Sequence, residues 1–336
     1  MKKNSILLFL LCSAMGAAAQ NWPEVRPEAR PGSRWWWLGS AVDKDNLNYN
    51  LKEYGKAGLG SLEVTPIYGV KGNESHNIRF LSPEWMEMFR YTQEVGKMNG
   101  IDIDMNTGTG WPFGGPEVSI EEAASKAIFQ TYEIEGGQEI VQDINVADKK
   151  QQPYSVLSRV MAYDGNGRCI NLTSHVRKDK LEWKAPAGKW KVIALYNGKT
   201  RQKVKRAAPG GEGYVMNHLS KSAVKSYLSR FDRAFKSSKT SYPHTFFNDS
   251  YEVYQADWTE DFLDQFARRR GYKLEEHFPE FLDESRPEVS RRIISDYRET
   301  ISDLLLEKLY PSMDGLGTQE WKHHPQSGTR IACQPD

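Results

Sequence analysis

The sequence predicts an α/β fold: a (β/α)8 TIM-type barrel, truncated after about four strand–helix units, with an inserted antiparallel β domain of sandwich type. Three observations carry this expectation. Short apolar strands alternate with single amphipathic helices over residues 34–125 and again from residue 220, and that order requires parallel pairing. Between residues 127 and 215 the helical period vanishes and hairpin signals replace it. Carboxylates, amides and aromatic rings collect at the predicted strand ends, where a (β/α) barrel carries its chemistry.

Arg34 to Leu38 reads as a short aromatic strand, Arg-Trp-Trp-Trp-Leu. Asp43 can cap a helix over Asn46 to Ala57, with Leu47, Leu51 and Tyr54 at helical spacing, and Gly58 and Gly60 end it. Ser61 to Tyr68 is the second strand. Ser82 followed by Pro83 is an N-cap with proline at the first helical position, starting a helix that runs to about Met98. After Asn99-Gly100 comes the third strand. Ile101, Ile103 and Met105 form its apolar face, alternating with Asp102, Asp104 and Asn106. It breaks into a loop containing Gly108, Gly110, Trp111, Pro112, Gly114, Gly115 and Pro116, which cannot continue a sheet.

In the insert, Asp164-Gly-Asn-Gly167 is a hairpin turn between Ser158–Tyr163 and Arg168–Leu172. Lys189 to Tyr196 is a further strand. Lys199 to Lys205 carries four basic residues and reads as a solvated strand face in preference to an anion site. The α/β pattern then resumes. A helix runs from Ser220 to Phe235 with Val224, Leu228, Phe231 and Phe235 on one face. His244 to Val253 is the fourth strand and its loop. A helix from Thr259 to Arg270 ends at Gly271, and a long one follows from about Val289 to Lys308.

The chain thus divides into a signal peptide (1–19), the first part of the barrel (20–126), the β-rich insert (127–215), the barrel continued (216–312) and an aberrant tail (313–336). Lys2 and Lys3, the apolar run Ile6–Leu11 and Ala17-Ala18-Ala19 predict export to the periplasm or the medium. Leu11 before Cys12 does not suit a lipid anchor, and no other segment reads as a membrane span. The tail from Met313 lacks helical or strand period. Codons exist for which a one-base shift there reads as helix, Asn-Gly turn, strand and polar loop, so a frameshift near Met313 is expected.

With 45 basic and 44 acidic residues, the net charge of +1 gives no reason to expect nucleic acid or an anionic membrane as partner. No protein partner is indicated. The three cysteines form neither a disulfide framework nor a zinc motif. Ten Trp and 16 Tyr form an aromatic-rich set; many must be core, and a protein with an oligo- or polysaccharide substrate would keep some exposed as platforms.

The candidate site residues are Trp37 on the first strand, Glu63 and Tyr68 on the second, Asp104, Asn106 and Trp111 on the third, and Asn248, Asp249 and Glu252 on the fourth. Carboxylates without a His, Cys or Ser–base pair point to glycoside hydrolysis, in which one carboxyl is kept protonated by an apolar setting and donates to the leaving oxygen. Glu252, among Phe246, Phe247, Tyr251, Val253 and Tyr254, fits that acid, and also fits a loop cap. Asp104, Asn106 and Asp249 are hard oxygen donors that could share a calcium ion. No organic cofactor is indicated. The rival functions are a secreted carbohydrate-binding protein without catalysis and a surface-assembly domain.

Arg34-Trp-Trp-Trp-Leu-Gly-Ser40, Glu63-Val-Thr-Pro-Ile-Tyr-Gly69, Asp104 to Gly115 and Asn248-Asp-Ser-Tyr-Glu252 together resemble the α-L-rhamnosidases of glycoside hydrolase family 106, over about Pro31 to Tyr310. The resemblance implies an (α/β)8 barrel with β-sandwich modules. It also implies inverting cleavage of terminal α-L-rhamnose, from pectic rhamnogalacturonan-type polysaccharide or rhamnosides, by two glutamates assisted by calcium. By position Glu252 resembles the general acid. Family members are much longer, and the water-activating glutamate is implied to lie downstream of residue 336. The chain as written is therefore expected to be inactive and poorly soluble.

Overall fold

Three parallel strands and two helices open the fold. The computed structural model describes residues 25–26, 29–248, 251–309 and 311–312. The expected signal peptide, Asp249 and the tail from Met313 lie outside the described residues. Strand β1 (Gly32–Leu38) leads to helix α1 (Lys44–Lys56), β2 (Ser61–Ile67), helix α2 (Pro83–Met98) and β3 (Asp102–Asn106). Both helix starts follow from the sequence. The Asp43 carboxylate accepts from the Asn46 amide at 2.9 Å, and the Ser82 hydroxyl accepts from that of Trp85 at 3.2 Å. Strands β1 and β2 pair parallel with Arg34 opposite Glu63, and β2 pairs β3 with Glu63 opposite Asp104.

A two-residue strand β4 (Gly114–Gly115) ends the Gly/Pro loop, and the β-rich part follows. It comprises β5 (Ser125–Glu135), β6 (Glu139–Asp143), β7 (Val156–Asp164), β8 (Cys169–Asn171), β9 (Val176–Arg177), β10 (Lys180–Lys184) and β11 (Lys189–Lys199). They form two antiparallel sheets, in the orders β5-β11-β7-β8 and β6-β10-β9. The predicted hairpin pairs Tyr163 with Cys169. Strand β11 is apolar on both faces because both are covered. Val192 and Ala194 join Trp183, Trp190 and Leu181 between the two sheets, while Ile193 and Leu195 face a second cluster with Phe262, Phe266 and Phe278.

After β12 (Tyr214–Val215), which pairs antiparallel with β4, comes helix α3 (Lys221–Ser238), then β13 (Phe246–Phe247). Helices α4 (Phe262–Arg270), α5 (Phe278–Phe281) and α6 (Glu288–Leu304) follow. Gly271 takes the left-handed conformation that ends α4. Strand β13 adds parallel to β3, giving a four-stranded sheet of order β1-β2-β3-β13.

Helices α1, α2 and α3 all cover one face of that sheet. Trp37, Leu62, Val64, Ile103, Met105 and Phe246 share a single cluster with Leu47, Leu51, Trp85, Phe89, Val224 and Phe235. A doubly wound fold would cover both faces. The sheet is open, and among the described residues no closed barrel forms. No described helix is long and apolar enough to cross a membrane.

Candidate active site

Side chains alternate along a strand, so the face of the sheet away from the helices carries Arg34, Trp36, Glu63, Thr65, Asp104 and Asn106. They lie at two levels. At the lower one, Arg34 Nε is 3.3 Å from Glu63 Oε1, which also accepts from the Thr65 hydroxyl at 2.8 Å. Asp104 Oδ1 accepts from the Thr245 hydroxyl at 2.5 Å and lies 3.0 Å from His244 Nδ1. The Arg34 guanidinium stands over Trp36 at 5.3 Å and Phe247 at 5.2 Å. Glu63 and Asp104 were expected at the strand ends, but each is the third residue of its strand. Glu63 sits about 13 Å below Ile67 at the rise of a strand. Period-2 alternation assigns the face and not the height.

The upper level holds Tyr68, Asn106, Trp111, Asn248 and Glu252. Across these strand ends lies the segment 200–206, which takes in most of the basic run Lys199–Lys205 that the sequence placed on a solvated strand face. Lys205 and Trp111 exchange backbone hydrogen bonds of 2.7 and 3.0 Å, and the Tyr68 amide donates to Arg206 O at 3.0 Å. Gln202 reaches the other side, where its Nε2 donates to Glu252 O at 2.8 Å and its Oε1 accepts from the Tyr254 amide at 2.9 Å. Gly110 makes the contact possible. Its φ is +62°, and a Cβ there would stand 2.0 Å from Lys205 O. The basic run is therefore a bridge between the loop after β3 and the loop after β13. Lys199 itself is buried and donates to Glu121 O at 2.6 Å and to the Ser125 hydroxyl at 3.0 Å.

Trp36 is 44% exposed and meets Trp111 edge-on at 5.8 Å between ring centres, and Tyr68 is exposed too. These rings can face a sugar. Trp37 cannot: it is 1% exposed, wedged between Trp35 and Trp85 in the helix-side core. Trp36, which was not among the expected residues, takes the place foreseen for it. Glu252 is exposed, and of its neighbours in sequence Tyr251 and Tyr254 are exposed too. The apolar enclosure expected around its carboxyl is not supplied by the described residues.

Beneath the bridge are buried polar groups: Asn106, expected at the site from the sequence, and Thr109 and His218, which sequence reasoning passed over. Both amide atoms of Asn106, Thr109 Oγ1 and His218 Nε2 have no hydrogen-bond partner among the described residues. Each such group costs about 1–3 kcal/mol when buried unpaired. Tyr227 of α3 fixes the floor by donating to Thr107 O at 2.8 Å, and burial pushes its phenol up to about 12.

His218 lies between Phe113 at 6.2 Å and Tyr251 at 5.1 Å, with Nδ1 donating to Met216 O at 3.0 Å. Burial lowers its pKa from 6.5 to about 4, against a smaller upward pull from the Met216 bond. The unfolded chain thus takes up this proton near pH 6.5 and the folded chain not until about pH 4. Between these values the unfolded state binds more protons, and stability falls as pH falls. The loss is expected to total about 3 kcal/mol. In urea titrations at both ends of that range, His218→Gln should lack this part of the pH dependence. An identical profile in both proteins would contradict it.

The donor set expected for calcium is not assembled among the described residues. The Asp104 carboxylate is engaged by His244 and Thr245, Asp249 lies outside the described residues, and among the described residues no group of three or more His, Cys, Asp or Glu could hold a metal ion.

A parallel sheet with aromatic rings at its strand ends suits carbohydrate binding, and the exposed Glu252 follows the last of those strands. The α-L-rhamnosidase family model of glycoside hydrolase family 106 matches residues 23–155 and 165–324, and the chain belongs to that family. The fold is similar to that of a rhamnosidase from Novosphingobium sp. PP1Y, with a TM-score of 0.67 and 16% identity over 88% of this chain and 45% of that one. A protein of Formosa agariphila named "Putative beta-glucuronidase" is 25% identical over 331 aligned positions, covering 84% of this chain and 28% of the relative. The chain thus spans less than half the length of either.

Proposed function

We propose that the chain supplies the acid-bearing side of an inverting α-L-rhamnosidase site, with Glu252 as general acid and Trp36, Tyr68, Trp111 and Asn248 as sugar-binding groups. The observation that carries this reading is the Gln202 bridge, which ties the Glu252 loop to the loop bearing Trp111. A glycosidic oxygen held over Trp36 and Trp111 would lie between a ring platform and a carboxyl on the neighbouring strand end. Its substrates would be terminal α-L-rhamnose on plant polysaccharide or rhamnosides, met outside the cytoplasm. We further propose that the one-sided sheet is an arc of a (β/α)8 barrel.

Inversion needs a second carboxylate to activate water, with the two carboxyls roughly 6.5–9.5 Å apart. The family resemblance puts that base outside these residues, so the chain alone is proposed to bind sugar without turning it over. The test compares p-nitrophenyl α-L-rhamnoside with p-nitrophenyl β-D-glucuronide. Both are offered to the chain and to the chain continued through its downstream gene sequence in either frame. Rhamnoside cleavage by a continued chain alone is expected. Cleavage of only the glucuronide would overturn the reading.

A further inference from the structure

We propose that the hollow between the start of α2 and helix α3, lined by Arg230, binds a divalent tetrahedral oxyanion: inorganic phosphate or sulfate, or the phosphate group of an ester. The hollow lies on the helix side of the sheet, where Phe80 joins the core, and the proposal does not depend on the rhamnosidase reading.

Arg230 sits in the middle of α3 and is 6% exposed. Among the described residues it has no carboxylate within ion-pair distance, and its Nε has no hydrogen-bond partner. Three rings hold it instead: the guanidinium stands 5.4 Å from the centre of Phe80, 5.7 Å from that of Phe231 and 5.9 Å from that of Tyr227. Rings orient a cation without cancelling its charge. Gly115 makes room for the head, since a Cβ there would stand 2.2 Å from Nη1. The fold thus admits a buried cation and gives it no counter-charge. Buried charges are ordinarily paired, because an unpaired one is costly to take from water. The partly buried arginines of α4 follow that rule, Arg269 with Glu307 at 2.6 Å and Arg270 with Glu299 at 2.9 Å.

The surroundings of Arg230 select the ligand. The hollow has a volume of about 1030 Å³, and its lining sets Arg79, Arg230, Arg233 and Lys236 against Glu117 and Asp232, a surplus of two positive charges. Both carboxylates are engaged, Glu117 by Arg233 and Asp232 by the Tyr242 hydroxyl at 2.6 Å. Ser82 and Pro83 bring the first turn of α2, a 16-residue helix, to the same hollow. The positive end of the helix dipole favours an anion there. Ser82 Oγ accepts from the Trp85 amide at 3.2 Å and keeps its own proton to donate. A guanidinium fork, a hydroxyl donor and two charges in excess suit a dianion with several acceptor oxygens better than a carboxylate, which carries one charge.

The experiment is calorimetric titration of the 336-residue chain with sodium sulfate, sodium phosphate, phenyl phosphate and sodium acetate, each in sodium chloride of matched ionic strength. Sulfate and phosphate are expected to bind at one site and to raise the thermal midpoint, with acetate about tenfold weaker. Phenyl phosphate binding more tightly than inorganic phosphate assigns the site to an ester, and weaker binding assigns it to the free ion. In Arg230→Met the dianions should bind at least about tenfold more weakly and no longer raise the midpoint. Without added dianion this variant should be as stable as the parent, since it buries no unpaired charge. The double variant Arg79→Gln, Lys236→Gln changes only exposed side chains and should also bind sulfate about tenfold more weakly. No binding of any dianion by the parent overturns the site, and acetate binding as tightly as sulfate overturns the choice of a dianion. Unchanged sulfate affinity in Arg230→Met, or in the double variant should Arg230→Met not fold, overturns the assignment to these residues.

Discussion

Glu252→Gln is expected to slow release of rhamnose from an unactivated rhamnoside by about 10³-fold in the catalytically complete protein, within the range that general acid catalysis supplies. The amide keeps the shape of the carboxyl but has no proton to give to the leaving oxygen. The loss should therefore depend on the leaving group. An alkyl or sugar aglycone, which needs the proton, should show the full effect. A p-nitrophenyl aglycone departs as a stable anion and should show much less. Binding should survive, because Gln202 holds the Glu252 loop through the backbone carbonyl and not through the carboxyl. Steady-state rates on both substrates, with affinity measured separately, check this. An equal loss on both aglycones would assign Glu252 a positioning role, and normal turnover would remove it from the mechanism.

Trp85→Ala is expected to be the most damaging single change to the fold. Trp85 is fully buried where α2 meets the sheet, stacked on Phe89 at 5.3 Å and packed against Trp37 at 5.6 Å and Phe80 at 5.0 Å. Its Nε1 donates to the buried Ser40 hydroxyl at 3.0 Å. Emptying such a site costs about 3–5 kcal/mol in transfer and cavity terms, and the stranded Ser40 hydroxyl adds about 1 kcal/mol or more. Native domains have only about 5–15 kcal/mol in hand, so most of the chain should be unfolded or aggregated at 37 °C. Trp85→Phe, which keeps a stacking ring and loses the indole N–H, should cost less than half as much. Urea midpoints for the three proteins would show the order, and a Trp85→Ala midpoint within error of the parent would contradict this account of the core.

Local features were legible because neighbours in sequence create them. Asp43 and Ser82–Pro83 start helices where the cap chemistry says they should, Gly271 stops one, and the turn at Asp164–Gly167 closes its hairpin. Two things were not legible. Along Trp35-Trp36-Trp37 the alternation is visible, but which face meets the helices depends on partners such as Tyr54 and Trp85, so the exposed ring is Trp36 and the core takes Trp37. The bridge at residues 200–206 was hidden for a similar reason. Its partners, Trp111, Tyr68 and Glu252, lie far away in the chain, and a basic run pointing at nothing local reads as solvated surface. His218 carried no signal at all, since a lone histidine before a helix gains its meaning only from Phe113 and Tyr251.

The central claim is that the strand-end face, with Glu252 tied to it by Gln202, protonates the leaving oxygen of an α-L-rhamnoside while a water attacks from the opposite side. Proton NMR of an aryl α-L-rhamnoside during hydrolysis by the catalytically complete protein tests this most directly. The account predicts β-L-rhamnose as the first anomer to form, with the α-anomer growing in only by mutarotation. The α-anomer forming first, or no release of rhamnose while the protein still binds the sugar, would contradict it.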